Sequence, residues 1–293
     1  MKQLIIVTGL SGSGKSIALH ALEDSGYDCI DNLPATMLPQ IAEHLQSQNR
    51  RAEHEHSEYS NVTNYDKVAI SIDSRSAAIE TLPAHIEQLK LQNVSIQVLF
   101  LESNVETLVK RFSETRRKHP LSKDTTTLAE SIAFERELLS NLGKLGHVID
   151  TSHISANKLR AWIKEAVSGD HSGLTLLFTS FGFKHGIPLD ADFVFDIRCL
   201  PNPHYDVKLR DLTGRDAEVK SFLENQTNVQ EMLNDIKQYI QKWLPSFVSD
   251  NRSYLTVAIG CTGGQHRSVY FVEELSQHFM SQQKVLTRHR ELK

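Results

Sequence analysis

The sequence has few cysteines: only Cys29, Cys199 and Cys261 occur, far apart in its 293 residues. Their number is odd and no C-x-x-C pair is present, which argues against a disulfide framework and against a zinc ribbon. Unpaired cysteines at this low density are typical of a reducing compartment. We therefore expect a cytoplasmic protein.

Long hydrophobic runs are also missing. No uncharged apolar run approaches the roughly 20 residues that a membrane-spanning helix needs. Near the N-terminus, the apolar run Leu4–Val7 is too short for the core of a signal peptide. The sequence therefore predicts no membrane partner.

An excess of positive charge is absent as well. The chain carries 32 Lys and Arg against 36 Asp and Glu, a formal net charge of −4. There is no global basic field to attract nucleic acid, so any such partner must be met by a local basic patch.

The most informative motif lies near the N-terminus and matches G-x-x-x-x-G-K-[ST]. It consists of Gly9, Leu10, Ser11, Gly12, Ser13, Gly14, Lys15 and Ser16. An apolar segment precedes it and a helical segment follows it, which is the context of a phosphate-binding loop (P-loop). Backbone N–H groups of such a loop surround phosphate oxygens, Lys15 would reach the outer phosphates, and Ser16 would hold Mg²⁺. A glycine turn with a chance lysine is the alternative.

Apolar segments alternate with helical patterns through the first half. They are Leu4–Val7, a weaker segment at Tyr27–Ile30, and then Val68–Ile72, Val98–Leu101 and His147–Ile149. This alternation predicts a parallel sheet flanked by helices. The polar stretch Ser47–Asp66 interrupts it, and we interpret it as an exposed, mobile insertion. Its His54-Glu55-His56 is better explained by a solvated loop than by a metal site.

Asp73 directly follows the third apolar segment. An apolar strand that ends in an aspartate is the pattern of a Walker B motif. Ligands of open α/β sheets bind at the carboxyl ends of the strands, so Asp73 could hold Mg²⁺ directly or through water. Asp31 is the alternative for this role. No residue stands out as a base for an acceptor hydroxyl, so the sequence supports nucleotide binding better than turnover.

A basic cluster follows the fourth apolar segment: Arg111, Arg116, Arg117, Lys118 and His119. Small kinases carry such arginines on a lid over the phosphates. An ordinary charged helix surface is equally compatible with the pattern.

The domain boundary is predicted at a change of composition in the middle of the chain. We expect a nucleotide-binding domain over residues 1–152 and a second, smaller α/β domain over residues 153–293. Within the second domain, an amphipathic helix is predicted over Phe222–Leu244, ended by Pro245.

A second combination of strand, glycine loop and helix surrounds Gly260–Ser268 and predicts a second anion site. The loop also fits C-x-x-G-x-x-R-[ST], in which a cysteine phosphatase attacks phosphorus with a thiolate and clamps oxygens with arginine. A non-catalytic phosphate or sugar-phosphate pocket is favoured over catalysis by Cys261 and over a structural turn. Gly260 stands where such phosphatases usually carry histidine.

Positive charge also collects in the C-terminal tail, in Lys284, Arg288, His289, Arg290 and Lys293, against the single acid Glu291. Such a cluster could contact nucleic-acid phosphates, and that binding would weaken with salt. A solvated terminus is the alternative.

These motifs together resemble the RapZ family of RNase adapter proteins. The resemblance is carried by Gly9–Ser16, Asp31–Pro34, Ser113–Leu121, Phe181–Pro188, Leu200–Pro203 and Gly260–Ser268. It covers nearly the whole chain, and the order of the second-half motifs is specific.

The resemblance implies a P-loop kinase-like first domain that takes ATP and GTP, and a second domain that binds a small regulatory RNA. It implies a homo-oligomer that presents this RNA to RNase E and so controls glucosamine-6-phosphate synthesis. Such a protein is mainly a non-enzymatic adapter with at most weak NTP hydrolysis. A P-loop small-molecule kinase or NTPase is the alternative.

Site residues follow from the resemblance too. The family's GTP-contact segment, usually D-V-R-N, corresponds to Asp73, Ser74, Arg75 and Ser76, and differs at two positions. An amino-sugar phosphate pocket would be lined by His185, Asn251, Cys261, Thr262, Gly263, His266 and Arg267. RNA contacts would come from Lys284, Arg288, Arg290 and Lys293.

Overall fold

A computed structural model describes residues 3–41, 43, 67–91, 95–167, 174–250, 252 and 254–292. The chain divides into two compact units, Met1–Ser168 and Gly169–Lys293. The predicted insertion Ser47–Asp66, with its His54-Glu55-His56, lies outside the described residues.

The first unit is built on a five-stranded parallel sheet. Its strands are β1 (Gln3–Gly9), β2 (Asp28–Ile30), β3 (Lys67–Ser71), β4 (Ser95–Glu102) and β5 (His147–Asp150). Their spatial order is β2-β3-β1-β4-β5, and every neighbouring pair is parallel. Each strand coincides with one predicted apolar segment, so the predicted fold class is confirmed.

Helices cover both faces of this sheet. They are α1 (Lys15–Glu23), α2 (Leu82–Lys90), α3 (Val105–Thr115), α4 (Leu128–Leu139) and α5 (Ala156–Val167), with short 3₁₀ turns at Ala35–Met37, Ile79–Thr81 and Leu142–Leu145. Successive β1 residues point to opposite faces. Ile6 therefore packs in the apolar cluster that contains Ile132 of α4. Ile5 packs in the cluster that contains Leu19 of α1 and Ile163 of α5.

The predicted boundary between residues 152 and 153 lies too early. Leu159, Trp162 and Ile163 of α5 are buried in the same cluster as Leu19 of α1. Because α5 completes the apolar layer of the first unit, the chain divides only after Ser168.

The second unit contains a smaller parallel sheet. Its strands are β6 (Thr175–Gly182), β7 (Phe193–Asp196), β8 (Tyr254–Cys261) and β9 (Lys284–His289), in the order β7-β8-β6-β9. Its helices are α6 (Ala217–Glu224), α7 (Thr227–Ser249) and α8 (Arg267–Phe279), with 3₁₀ turns at Phe183–His185 and Pro203–Tyr205. Most of the buried apolar side chains of these strands and helices pack in one cluster. A second α/β domain was predicted, although β9 was interpreted only as a charged tail.

The helix predicted over Phe222–Leu244 is wrong in both its start and its end. The segment forms two helices, and α7 continues through Pro245 to Ser249. Proline removes one backbone hydrogen bond from a helix interior. Helical structure nevertheless continues beyond Pro245, where Phe247 packs edge-on against Phe193 with ring centroids 5.5 Å apart and the Ser249 hydroxyl donates to the Pro245 carbonyl at 2.9 Å.

Among the described residues, no helix combines the length and the apolar character that crossing a bilayer requires.

Candidate functional site

The P-loop connects the end of β1 at Gly9 to the start of α1 at Lys15. Gly9 has φ 129°, and a Cβ there would lie 2.0 Å from the Leu101 carbonyl oxygen of β4. Gly14 has φ 109° and stands immediately before α1. Glycine is needed at both positions because side chains rarely tolerate such φ values. The predicted sequence of strand, loop and helix is therefore present.

A cavity of about 520 Å³ opens over the P-loop. Its lining residues are Ser11, Gly12, Ser13, Gly14, Lys15, Ser16, Ile17, Asp73, Arg111, Phe112, Glu114, Thr115, Arg117, Lys118, Pro120, Ile154, Ser155, Ala156 and Leu159. The structure thus brings the P-loop, Asp73 and part of the predicted basic cluster to one cavity. Gly9 and Leu10 do not line it.

The Lys15 ammonium group is held within the P-loop. Its Nζ donates to the carbonyls of Gly9 at 2.8 Å and Leu10 at 3.1 Å. Burial lowers the pKa of Lys15, and the charges of Glu135 and Asp73 oppose this only in part. The loop therefore presents a positive charge that is partly removed from water, where the attraction between opposite charges is stronger than in water.

Asp73 is buried, and its carboxylate is bound by Arg75. Its Oδ1 accepts the Arg75 backbone N–H at 2.8 Å, and its Oδ2 accepts the guanidinium at 2.6 Å. Burial raises the pKa of Asp73, but the hydrogen bonds from Arg75 outweigh it and hold the pKa below its usual value. Asp31 instead accepts the Ser71 hydroxyl at 2.5 Å and does not line the cavity.

The oxygens at the cavity fit a magnesium ion. Ser16 and Asp73 line the same space, and Mg²⁺ is usually bound by one or two protein oxygens together with phosphates and water. A cation would have to compete with Arg75 for Asp73. Within the described ranges, no group of three or more His, Cys, Asp or Glu could hold a metal. Mg²⁺ would therefore depend on the phosphates of a bound nucleotide.

The residues that follow Asp73 do not reach this cavity. The Ser74 hydroxyl donates to Glu135 at 2.5 Å, and the Ser76 hydroxyl accepts the Ala35 backbone N–H at 2.6 Å. Neither serine lines the cavity, nor does Arg75. The apolar wall is formed instead at the start of α5, by Ile154, Ala156 and Leu159. Sequence reasoning did not connect that helix with the site.

Arg111 fastens the P-loop to the end of β5. Its Nη1 donates to the Gly12 carbonyl at 3.0 Å, and its Nη2 donates to the Thr151 carbonyl at 2.6 Å. Burial lowers the pKa of Arg111, while the Asp150 carboxylate opposes this change.

Glu135 of α4 was missed by the sequence analysis. It is fully buried and accepts both the backbone N–H and the hydroxyl of Ser11, at 2.9 and 2.7 Å. The available signal was an acid on the apolar face of a helix, between Ile132 and Leu139.

The second unit has a smaller cavity, of about 200 Å³, at the glycine loop between β8 and α8. It is lined by Lys184, Asn202, His204, Cys261, Thr262, Gly263, Gln265, His266 and Arg267. Five of the seven residues predicted for the sugar-phosphate pocket therefore meet here. His185 is exposed and does not line the cavity, and Asn251 lies outside the described residues.

Arg267 lies beneath this cavity and is only 3% exposed. Its Nη1 donates to the carbonyls of Arg198 at 2.9 Å and Leu200 at 2.7 Å. Burial lowers the pKa of Arg267. Several nearby groups oppose this change, and Cys261 has the largest opposing effect. Among the described residues, its buried Nε has no hydrogen-bond partner. A buried guanidinium with an unused donor is suited to binding an anion.

Cys261 is also enclosed. Its Sγ accepts the Gly264 backbone N–H at 3.2 Å and lies 3.2 Å from the Ser268 hydroxyl. A Cβ at Gly260 would lie 2.4 Å from the Phe183 ring, so the histidine of cysteine phosphatases could not occupy this position. Burial lowers the pKa of His266, and its Nε2 lies 3.1 Å from the Leu209 carbonyl oxygen. This geometry supports anion binding over attack by Cys261.

The predicted RNA contacts of the tail are only partly available. Arg288 is 2% exposed in β9, so it is not a surface contact. The Arg290 backbone N–H donates to the Ser180 carbonyl at 3.1 Å, and Lys284 is half-buried at the start of the strand. The tail differs from the prediction because this segment is an edge strand of the sheet. Lys293 lies outside the described residues.

Comparisons with known proteins agree with this arrangement. Residues 2–171 match the RapZ-like N-terminal domain and residues 174–293 match the RapZ C-terminal domain. A "Nucleotide-binding protein" of Methylobacillus flagellatus is 62% identical over 291 residues, covering 99% of both chains. One of Thiobacillus denitrificans is 54% identical, also over 99% of both chains.

Solved structures of small kinases are similar to part of the chain. Shikimate kinase of Acinetobacter baumannii, solved with shikimate, has a TM-score of 0.36 at 14% identity and covers 57% of this chain and 93% of its own. A sugar kinase of Janibacter sp. has a TM-score of 0.32 at 17% identity and covers 57% of this chain and 94% of its own.

Proposed function

Because the chain belongs to the RapZ family, we propose that its first unit binds a nucleoside triphosphate, ATP or GTP, together with Mg²⁺. The observation that carries this proposal is the meeting of the P-loop, Asp73 and the basic residues Arg117 and Lys118 at one cavity. Relatives that span the full chain are named nucleotide-binding proteins.

The cavity's two walls suit the two ends of a nucleotide. Backbone N–H groups of Gly14, Lys15 and Ser16, at the start of α1, would bind the phosphates. Lys15 would exchange the Gly9 and Leu10 carbonyls for phosphate oxygens, and Ser16 and Asp73 would hold Mg²⁺. The apolar surface of Ile154 and Leu159 would contact the base.

Isothermal titration calorimetry with Mg-ATP and Mg-GTP tests this proposal. Lys15→Ala should weaken binding at least about tenfold, because a charge-assisted contact to phosphate is lost. Lys90→Ala is the matched control, since Lys90 pairs with Glu87 at the end of α2, and it should bind as the wild type does. Binding that is absent in the wild type, or unchanged in Lys15→Ala, would contradict the proposal.

The second unit, we propose, takes an amino-sugar phosphate in the cavity above Arg267 and binds a small regulatory RNA. The protein would then act as a cytoplasmic, homo-oligomeric adapter that presents the RNA to RNase E and controls glucosamine-6-phosphate synthesis. Family membership supports this role, and the enclosed cation with Thr262, Gly263 and His266 supports the phosphate pocket. Several RNA-binding units in one oligomer would raise avidity without many contacts in each.

Gel shifts of a structured small RNA with the full-length protein test the adapter role. Retardation should weaken steeply as salt rises, because counterions are released on binding. The double variant Lys284→Ala, Arg290→Ala should bind less tightly and with a shallower salt dependence than Lys90→Ala. No retardation at low salt would exclude RNA binding.

A small-molecule kinase or NTPase is the second candidate, favoured by the room beside the P-loop. Among the described residues, the carboxylates lining the cavity are Asp73, bound by Arg75, and Glu114. Neither is a free base deep in the cavity, which supports binding over turnover. Phosphate transfer from ATP to a metabolite, abolished by Lys15→Ala, would establish the kinase instead.

A further inference from the structure

The buried carboxylate of Glu135 joins three segments of the nucleotide site. Its side chain is completely inaccessible. Its Oε1 accepts the hydroxyls of Ser11 at 2.7 Å and Ser74 at 2.5 Å. Its Oε2 accepts the Ser11 backbone N–H at 2.9 Å and lies 3.1 Å from His119 Nε2. Four hydrogen bonds thus satisfy the carboxylate away from water.

The hydrogen bond with His119 has a defined direction. The Leu121 backbone N–H donates to His119 Nδ1 at 3.2 Å, so Nδ1 is an acceptor. The proton of a neutral ring is therefore on Nε2, which donates to Glu135. His119 packs against Phe112 with ring centroids 5.3 Å apart, and Phe112 itself lines the cavity.

The three partners of Glu135 belong to the parts that must come together around phosphate. Ser11 lies in the P-loop, and Ser74 adjoins Asp73. His119 adjoins Lys118, which lines the cavity. The Glu135 charge also raises the pKa of Lys15 against the effect of burial, more than any other charge does. It therefore supports the charged form of the phosphate-binding lysine.

The helix that carries Glu135 is well anchored. At the start of α4 the Thr127 hydroxyl accepts the Glu130 backbone N–H, and the Glu130 carboxylate accepts the Thr127 N–H, forming a capping box. Groups placed on rigid helices hold geometry more precisely than groups on loops.

We propose that Glu135 is a positioning residue of the nucleotide site. It fixes the P-loop through Ser11 and holds the basic segment Arg116–Lys118 at the cavity through His119. This inference rests on the nucleotide binding proposed above. A merely structural role would leave the basic segment and the affinity unchanged in any variant that stays folded.

Four substitutions in the full-length protein separate the contacts. Glu135→Ala removes all of them, and Ser74→Ala removes only the link beside Asp73. His119→Leu removes the link to the basic segment together with the acceptor of the Leu121 backbone N–H. Glu135→Gln removes the charge. The glutamine oxygen can still accept the N–H groups of Ser11 and His119. Its NH₂ group can donate to the hydroxyls of Ser11 and Ser74, which rotate to act as acceptors. Glu137→Ala, at an exposed position of the same helix, is the matched control.

The first measurement is limited trypsin cleavage after Arg116, Arg117 and Lys118 without nucleotide, read by mass spectrometry. We expect cleavage several times faster in Glu135→Ala and His119→Leu, and wild-type rates in Ser74→Ala and Glu137→Ala. The second is the affinity for a fluorescent ATP analogue with Mg²⁺. It should fall roughly tenfold in Glu135→Ala and less in Glu135→Gln, which keeps the hydrogen bonds.

Thermal unfolding identifies the variants that remain folded, and His119→Leu carries the test if Glu135→Ala does not fold. Folded Glu135→Ala and His119→Leu proteins with wild-type cleavage and wild-type affinity would overturn the inference. If the wild type binds no nucleotide, the proposed function fails instead. Cleavage without nucleotide then still decides whether Glu135 holds the basic segment.

Discussion

At the scale of single residues, the lack of room for a Cβ restricts a P-loop position to glycine as much as its backbone conformation does. Gly9 combines φ 129° with no room for a Cβ beside Leu101, whereas Gly26 has φ 82° and open space around it. The two positions therefore separate backbone strain from collision.

Gly9→Ala should lower the free energy of unfolding by about 3 kcal/mol or more, because the backbone of β4 cannot move away cheaply. Gly26→Ala should cost only about 1 kcal/mol, from the left-handed conformation alone. Urea unfolding of both variants measures the difference. Equal losses would show that collision is not what demands glycine at Gly9.

Glu273 makes the stability of the second unit depend on pH in the acidic range. The hydrogen bond with His289 lowers the pKa of Glu273 most, burial opposes it, and Arg215 adds to the lowering, so that the pKa falls from 4.5 to about 2. The folded state thus favours the ionised carboxylate. Its stabilisation is complete above pH 4.5 and is lost as the pH falls from 4.5 towards about 2.

Glu273→Gln should therefore flatten the fall in melting temperature between pH 4.5 and 2, because the titrating group is gone. Melting temperatures of wild type and variant across this range provide the test. Glu274→Gln, at the next position, should keep the wild-type slope. Parallel curves for wild type and Glu273→Gln would contradict the assignment.

At the scale of elements, strands with continuous apolar runs were predictable and a half-charged strand was not. In the first sheet β1, β3 and β4 follow such runs, because helices bury both sheet faces, whereas β2 begins at the exposed Asp28. β9 was missed because Lys284 and Arg288 resemble a solvated tail, although Leu286 and Arg288 are both buried. The Glu135 site was unpredictable for another reason: Ser11 lies 124 positions away in sequence, and only the fold brings them together.

Pro245 in α7 provides a test at this scale. It is exposed within a helix that continues to Ser249, so its ring removes a backbone hydrogen bond without burying apolar surface. Pro245→Ala should restore a donor to the Gln241 carbonyl and raise the free energy of unfolding by at least ~1 kcal/mol. Gln241→Ala is a control on the preceding turn. Chemical unfolding that shows unchanged or lower stability in Pro245→Ala would contradict this reading of α7.

At the scale of the whole molecule, the chain repeats one arrangement: a parallel strand, a glycine loop and a helix whose start borders a cavity. The loop at Gly9–Ser16 was recognisable because its lysine and serine have fixed spacing. The second loop was predicted to be an anion site from the same order of strand, glycine loop and helix. Spacing alone does not reveal that Cys261 and Arg267 are buried.

The whole-molecule measurement is hydrogen–deuterium exchange of the full chain with and without saturating Mg-ATP, with Lys15→Ala as control. We expect slower exchange over residues 9–18 and 111–120, where backbone amides and the basic segment would surround the phosphates. Residues 260–268 should not change, and Lys15→Ala should show little protection at the same ATP concentration. Unchanged exchange over residues 9–18 in the wild type would contradict the claim that this loop binds nucleotide phosphate.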